Sequence, residues 1–211
     1  MVHLSPIRPM TWRVGHAGAL CLTRVTGPLA SRRLLLTGAS GGVGHYFVEL
    51  AASQGADITV VTASGERGAR LVELGAAASL RRVADAPGPY QIGLDSVGGD
   101  VTATVWAKLT DDGLLVWFGQ ASRVPPTLDF FDWRGGLSGT IRKFAYSDSD
   151  TTDADDLATL VRLVQAGRLH PEIGLVADWE HTAEAIEAMV GRAVRGNAVL
   201  TLSPNSAALA R

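Results

Sequence analysis

Residues Leu34–Ala52, LLLTGASGGVGHYFVELAA, constrain the fold more than any other stretch of the chain. The apolar run Leu34–Leu36 ends in Thr37, a glycine-rich turn follows, and Val43, Phe47, Leu50 and Ala51 then recur at helical spacing. Strand, tight turn and helix in that order are the setting in which a glycine motif carries chemical meaning. The spacing is A-x-G-x-x-G on Ala39, Gly41 and Gly44, with Ser40, Gly42 and Val43 between them and alanine in place of the first glycine. Gly41 would let a diphosphate approach the backbone, and Gly44 would let the helix close onto the strand. The free N–H groups and positive dipole at the helix start suit phosphate oxygens. A turn that needs glycine for its own geometry is the plainer alternative, but the flanking elements favour a dinucleotide site.

The rest of the composition narrows the classes. A chain of 211 residues with net charge −2 is long enough for one α/β core and carries no signature of nucleic-acid or anionic-membrane binding. Cys21 is the single cysteine, so neither a disulfide framework nor a cysteine-based zinc site is expected, and a reducing cytoplasmic compartment follows as the default. No apolar run approaches the ~20 residues of a membrane span, and Pro6 and Pro9 interrupt any signal-peptide core. The five histidines (His3, His16, His45, His170, His181) are scattered without ligand spacing, so no metal is expected. Lys108 and Lys143 are the only lysines, which leaves arginine to make the cationic contacts.

Three parts are expected: an arm and short helix over 1–30, a doubly wound parallel sheet over 31–202, and a tail over 203–211. The sheet should have about six strands with helices on both faces. Ile58–Val61 reads as the second strand, Ala78–Val83 as a weak third, Tyr90–Asp95 as the fourth, Leu114–Phe118 as the fifth and Leu137–Phe144 as the sixth, at an edge. Helices are expected at Gly15–Val25, Gly68–Leu74, Val101–Leu109 and Thr182–Val190. Another, after a Thr152 cap, should bury Leu157, Leu160, Val161 and Val164; Asp111-Asp112-Gly113 reads as a turn. Short strands at Ile173–Val176 and Ala198–Leu202 close the chain. Ligands of such sheets lie beyond the carboxyl ends of the strands, which selects Thr62–Arg67, Val97, Gly119 and Gln120.

At the tip of the second strand an NAD site usually keeps an acid for the ribose hydroxyls, about 20 residues past the glycine turn. Here no acid sits directly at the tip, and Ser64 and Arg67 stand where a 2′-phosphate would lie. That favours NADP(H) over NAD(H). Glu66 as the missing acid, with Arg67 as an exposed first-turn residue, remains the alternative.

The combination GASGGVGHYFVELAASQGA, a following LGA, LDSVGG and GLLVWFGQAS resembles the cofactor domain of the medium-chain dehydrogenase/reductase superfamily. Within it the chain is most similar to the zinc-independent quinone oxidoreductase and enoyl reductase branch, from about Gly15 to Leu202. The resemblance implies NADPH as cofactor, with Ser64 and Arg67 at the 2′-phosphate, Arg82 where relatives carry a tyrosine near that phosphate, Arg192 as a further arginine, and Gln120 near the nicotinamide. It also implies that most of the N-terminal barrel-like substrate domain is missing, since only about thirty residues precede the first strand.

The resemblance places Phe130, Phe131 and Trp133 beside a substrate cleft, and they could shape an apolar pocket with Tyr46 and Trp117. Asp95, Asp129, Asp132 and His45 are the nearest proton-transfer groups. It further implies a homodimer through edge strand 137–144. It leaves Ile186, Met189, Val199 and Leu200 in need of cover from the arm, a second subunit or another chain, because burying each such side chain is worth about 1.5–3 kcal/mol. Two functions are expected. One is an NADP(H)-dependent oxidoreductase passing hydride to a small-molecule quinone or α,β-unsaturated carbonyl. The other is a non-redox descendant: a binding module, a subunit of a split enzyme, or a cyclase-like catalyst.

Overall fold

The computed structural model describes residues 17–129, 131, 138–144 and 153–202. The expected arm and tail, together with Phe130, Asp132, Trp133 and the Thr152 cap, lie outside the described residues.

Helix α1 (Ala17–Thr26) leads into strand β1 (Arg33–Thr37), and the glycine turn then opens helix α2 (Gly42–Ser53). Strand β2 (Asp57–Val61), helix α3 (Gly65–Glu73) and strand β3 (Ala78–Leu80) follow. Next come β4 (Tyr90–Asp95), α4 (Asp100–Trp106), β5 (Leu109–Trp117) and β6 (Thr140–Lys143). The six strands pair in the order β3-β2-β1-β4-β5-β6, parallel throughout. The order reverses between β1 and β4, which opens a crevice beyond their carboxyl ends.

Strand alternation splits β1 between two cores. Leu34 and Leu36 join Leu22, Phe47, Val48, Leu71 and Leu160 on the face covered by α1, α2, α3 and helix α5 (Asp153–Gln165). Leu35 joins Tyr90, Val105, Leu109 and Leu115 on the other face, under α4. All three leucines are fully buried. Both faces of a parallel sheet must be covered because its crossover helices lie there, and these strands are apolar on both sides for that reason.

The structure corrects several boundaries. Helix α4 ends at Trp106, and β5 begins at Leu109, which pairs with Tyr90. Asp111-Asp112-Gly113, expected as a turn, lies inside β5, where an irregular register between Tyr90 and Ile92 absorbs the extra residues. The third strand stops at Leu80, and Val83–Asp85 is a short 3₁₀ turn. On α5 only Leu160 of the expected stripe is buried. Leu157, Val161 and Val164 are exposed, because no described element lies over that side. Finally, β7 (Ile173–Asp178) and β8 (Asn197–Thr201), joined through helix α6 (Thr182–Val190), do not enter the main sheet but form a parallel pair of their own.

Candidate functional site

The site is built around Thr37 and Asp95, at the tips of β1 and β4. Asp95 is fully buried and accepts four hydrogen bonds. These come from the Thr37 and Thr102 hydroxyls and from the backbone N–H groups of Val97 (3.0 Å) and Gly98 (3.1 Å). Thr37 Oγ1 in turn accepts from Ser96 N–H at 3.2 Å, and Ser96 Oγ donates to the Thr37 carbonyl at 3.2 Å. The two strand tips and the loop carrying Val97 are thereby held as one piece. Asp95, one of the groups nearest for proton transfer in the sequence, is committed to this structural duty.

The glycine turn is shaped by close approach. Gly38 has φ +61°, and a Cβ there would lie 2.1 Å from Ser96 Oγ. At Gly44 a Cβ would lie 2.3 Å from the Ala39 carbonyl oxygen, so only glycine lets α2 close onto β1. Gly41 precedes α2 in an extended conformation with no side-chain cap, and its N–H bonds the Gly38 carbonyl at 3.1 Å. The far side of the turn meets a segment from near the end of the chain, for which no local pattern provides a signal. Gly41 forms an isolated bridge with Gly196, and a Cβ on Gly42 would meet Asn197 Oδ1 at 2.6 Å.

The crevice beyond the strand tips encloses about 790 Å³. Of the residues selected from the sequence, it brings together Ser40, Ser64, Arg67, Arg82, Val97 and Arg192, with Thr37 and Gly38 as its floor. Ala39 is buried, and Gly41–Gly44, Gly119 and Gln120 do not line this volume. Arg81, which the sequence reading passed over, lines it as well. The doublet Arg81-Arg82 after a short strand was the available signal.

Four arginines (67, 81, 82, 192) thus face the crevice against Glu66 and Asp100, a charge balance suited to an anion. Ser64 Oγ caps α3 by accepting from Arg67 N–H at 3.4 Å. Thr62 Oγ1 donates to Ser40 Oγ at 3.1 Å, which ties the β2 tip to the glycine turn. Arg67 Nη2 donates to the Arg192 carbonyl at 3.0 Å, and Arg192 Nη2 to the Ala121 carbonyl at 2.8 Å, so the 192 loop spans the mouth from β2 to β5. Arg82 makes two bonds to Asp85, which raise the arginine pKa and hold the carboxyl below its ordinary range.

A second ionic cluster centres on one buried carboxylate. Glu172, with its side chain 8% exposed, bonds Arg70 Nε at 3.1 Å and Arg195 Nε at 2.6 Å. Burial pushes the Glu172 pKa up, but the Arg70 hydrogen bond and the nearby cations outweigh it, and the carboxyl titrates below its ordinary value. His45 Nδ1 lies 3.1 Å from the Gly41 carbonyl, and Nε2 is buried with no hydrogen-bond partner among the described residues. Burial lowers the His45 pKa.

Of the expected aromatic residues, the described ones, Tyr46, Trp117 and Phe131, do not line the crevice. Tyr46 is buried, its phenol pushed up to about 12 by burial, and it lines a separate apolar groove with Leu157, Leu160, Val161 and Val164. Phe131 is 74% exposed. Asp129 accepts from the Phe131 N–H at 2.9 Å.

The six-stranded parallel sheet with helices on both faces defines a doubly wound, Rossmann-like α/β fold. Residues 68–200, more than half the chain, match the zinc-binding dehydrogenase family, and the chain belongs to that family. Comparison with curated protein sequences gives no match. Among solved structures, the Escherichia coli quinone oxidoreductase complexed with NADPH aligns with TM-score 0.78 at 18% identity, over 89% of this chain and 62% of that one. A Pseudomonas syringae quinone oxidoreductase aligns with TM-score 0.75 at 22% identity, over 89% and 62%. A 2-haloacrylate reductase aligns with TM-score 0.73 at 20% identity, over 90% and 65%. Such identities establish the shared fold alone, and this chain spans less than two thirds of each of those proteins.

The family description raises the question of zinc. Among the described residues no three His, Cys, Asp or Glu side chains converge, so these residues do not fit a zinc ion, and no step below passes through one. An anion fits better: Gly38, Ser40 and Ser64 line the crevice together with four arginines. Among the described residues no helix is long and apolar enough to cross a membrane.

Proposed function

We propose that the chain binds NADP(H) and acts as an oxidoreductase that passes hydride to a quinone or an α,β-unsaturated carbonyl. The observation that carries this reading is the convergence of Arg67, Arg81, Arg82 and Arg192 on one crevice at the tips of β2 and β3. NADP(H), when bound, supplies the hydride chemistry; the chain supplies position and electrostatics. Ser64, Arg67 and Arg82 would hold the 2′-phosphate, and the glycine turn with the start of α2 the diphosphate. Gly119 and Gln120, beyond β5, would border the nicotinamide. The crevice is open, so water can deliver the proton that completes reduction of a quinone or enone, and no buried acid is required.

The solved relatives crystallised with NADPH support the cofactor part of this reading. Two bare regions support a homodimer or a second chain. Every residue of edge strand β6 is exposed. Ile186, Met189 and Val199 are exposed beside β7 and β8, with no described element over them.

Calorimetric titration tests the proposal. NADPH should bind in the micromolar range and more tightly than NADH. Arg67→Ala and Arg82→Ala should each weaken NADPH about tenfold, since a charge-assisted hydrogen bond is worth about 1.5–3 kcal/mol and 1.4 kcal/mol is a factor of ten. NADH affinity should barely change. A folded protein that ignores NADPH would leave the non-redox reading standing.

A further inference from the structure

Glu66 is the carboxylate nearest the position at which dinucleotide-binding folds keep an acid for the ribose hydroxyls. It follows the Ser64 cap in the first turn of α3 and lines the crevice. Left to itself it would accept from a ribose diol and repel a 2′-phosphate. It is not left to itself. Arg195 Nη1 approaches Glu66 Oε1 at 3.2 Å, although Arg195 lies 129 residues away in sequence and does not line the crevice. Arg195 is in turn anchored from behind, its Nε 2.6 Å from the Glu172 carboxylate. That carboxylate is also held by Arg70, on the same helix as Glu66. One guanidinium thus spans a buried carboxylate and an exposed one, and the exposed one is the acid that would otherwise select the unphosphorylated cofactor.

We propose that Arg195 is a specificity-determining residue: by engaging Glu66 it withdraws that carboxylate from the ribose position and leaves the strand tip to Arg67, Arg81 and Arg82. The assignment rests on the cofactor reading above. It is a positioning role, exerted through Glu66 rather than by touching the cofactor. The Glu66 side chain is 83% exposed, so its pairing is weak and salt-sensitive. A fixed partner such as Arg195, pre-anchored on Glu172, is what makes such a pair persist.

The test is a set of binding constants for NADPH, NADH and 2′,5′-ADP measured with wild type, Glu66→Asp, Glu66→Gln, Arg195→Gln and the Arg195→Gln/Glu66→Gln double variant. Glu66→Asp keeps the charge but shortens the reach to Arg195, and it leaves the Glu172 cluster intact, so it serves even if Arg195→Gln fails to fold. Freeing the carboxylate should lower the NADPH-to-NADH affinity ratio three- to tenfold in Glu66→Asp and in Arg195→Gln. Glu66→Gln alone should move it less than twofold, and in the Arg195→Gln background it should restore the wild-type ratio. The same ordering should appear with 2′,5′-ADP, which carries the phosphate without the nicotinamide. Wild type that prefers NADPH, with Glu66→Asp and Glu66→Gln giving equal ratios, overturns the role of Arg195 and spares the cofactor assignment. Wild type that binds none of the three ligands overturns both.

Discussion

Replacing Asp95 with asparagine exposes how the strand-tip scaffold is held. The carboxylate accepts four hydrogen bonds at zero exposure, two from threonine hydroxyls and two from backbone N–H groups of the loop that lines the crevice. The amide of asparagine keeps the shape but offers one acceptor oxygen and turns an NH₂ toward donors. The hydroxyls of Thr37 and Thr102 can rotate; the N–H groups of Val97 and Gly98 cannot. About two donors therefore lose their acceptor, and each buried unsatisfied group costs about 1–3 kcal/mol. The expected loss is about 2–6 kcal/mol, a large part of the ~5–15 kcal/mol stability of an ordinary domain. Urea unfolding followed by tryptophan fluorescence should show the midpoint falling with little change of slope. Asp95→Ala, which also removes packing, should fall at least as far. A loss under about 1 kcal/mol for both variants would show that the loop is held by other contacts and that the reasoning about Asp95 is wrong.

Two further outcomes follow from the same geometry. Gly44→Ala should lower the melting temperature sharply and weaken any nucleotide binding, because the added Cβ meets the Ala39 backbone at 2.3 Å and α2 must lift from β1; overpacking of this kind typically costs about 1–3 kcal/mol or more. A melting temperature within a degree of wild type would contradict it. His45, lowered by burial below its ordinary 6.5 and facing Glu172, Arg195 and Arg70, gives stability a defined pH dependence. Between the lowered folded value and 6.5 the unfolded chain takes up the proton and the folded chain does not. Stability is therefore whole above pH 6.5 and declines as the pH falls through that value toward the folded one. Unfolding free energies from pH 7.5 to 5 should show this slope in the wild type and a shallower one in His45→Phe, and equal slopes would refute it.

The elements that build the crevice were legible because their signals are local. The Leu34–Leu36 run, the glycines and the 3.6-residue spacing of Val43, Phe47 and Leu50 lie within about a dozen residues and report on backbone sterics and one face of one helix. The fold class follows from such pieces once parallel strands and right-handed crossovers are granted. The Asp111-Asp112-Gly113 misreading has the same origin: those residues do favour a turn, but the pairing of Leu109 with Tyr90 before them and of Leu114 with Ile92 and Thr140 after them keeps them inside one strand.

Local sequence pattern thus determined a doubly wound sheet, the glycine turn, and Ser64 and Arg67 at one strand tip, and the family resemblance alone added Arg82. The resemblance had placed Arg192 near that region; tertiary structure alone decided the contacts by which the far end of the chain reaches it. Gly196 settles against Gly41, Arg192 bridges Arg67 and Ala121, and Arg195 links Glu66 to Glu172. It also decided that the α5 stripe stays largely exposed and that Tyr46 faces a groove apart from the crevice. Contacts across 125 and 129 residues leave no periodic trace in sequence, since they depend on where a returning segment docks and not on which local conformation its residues prefer.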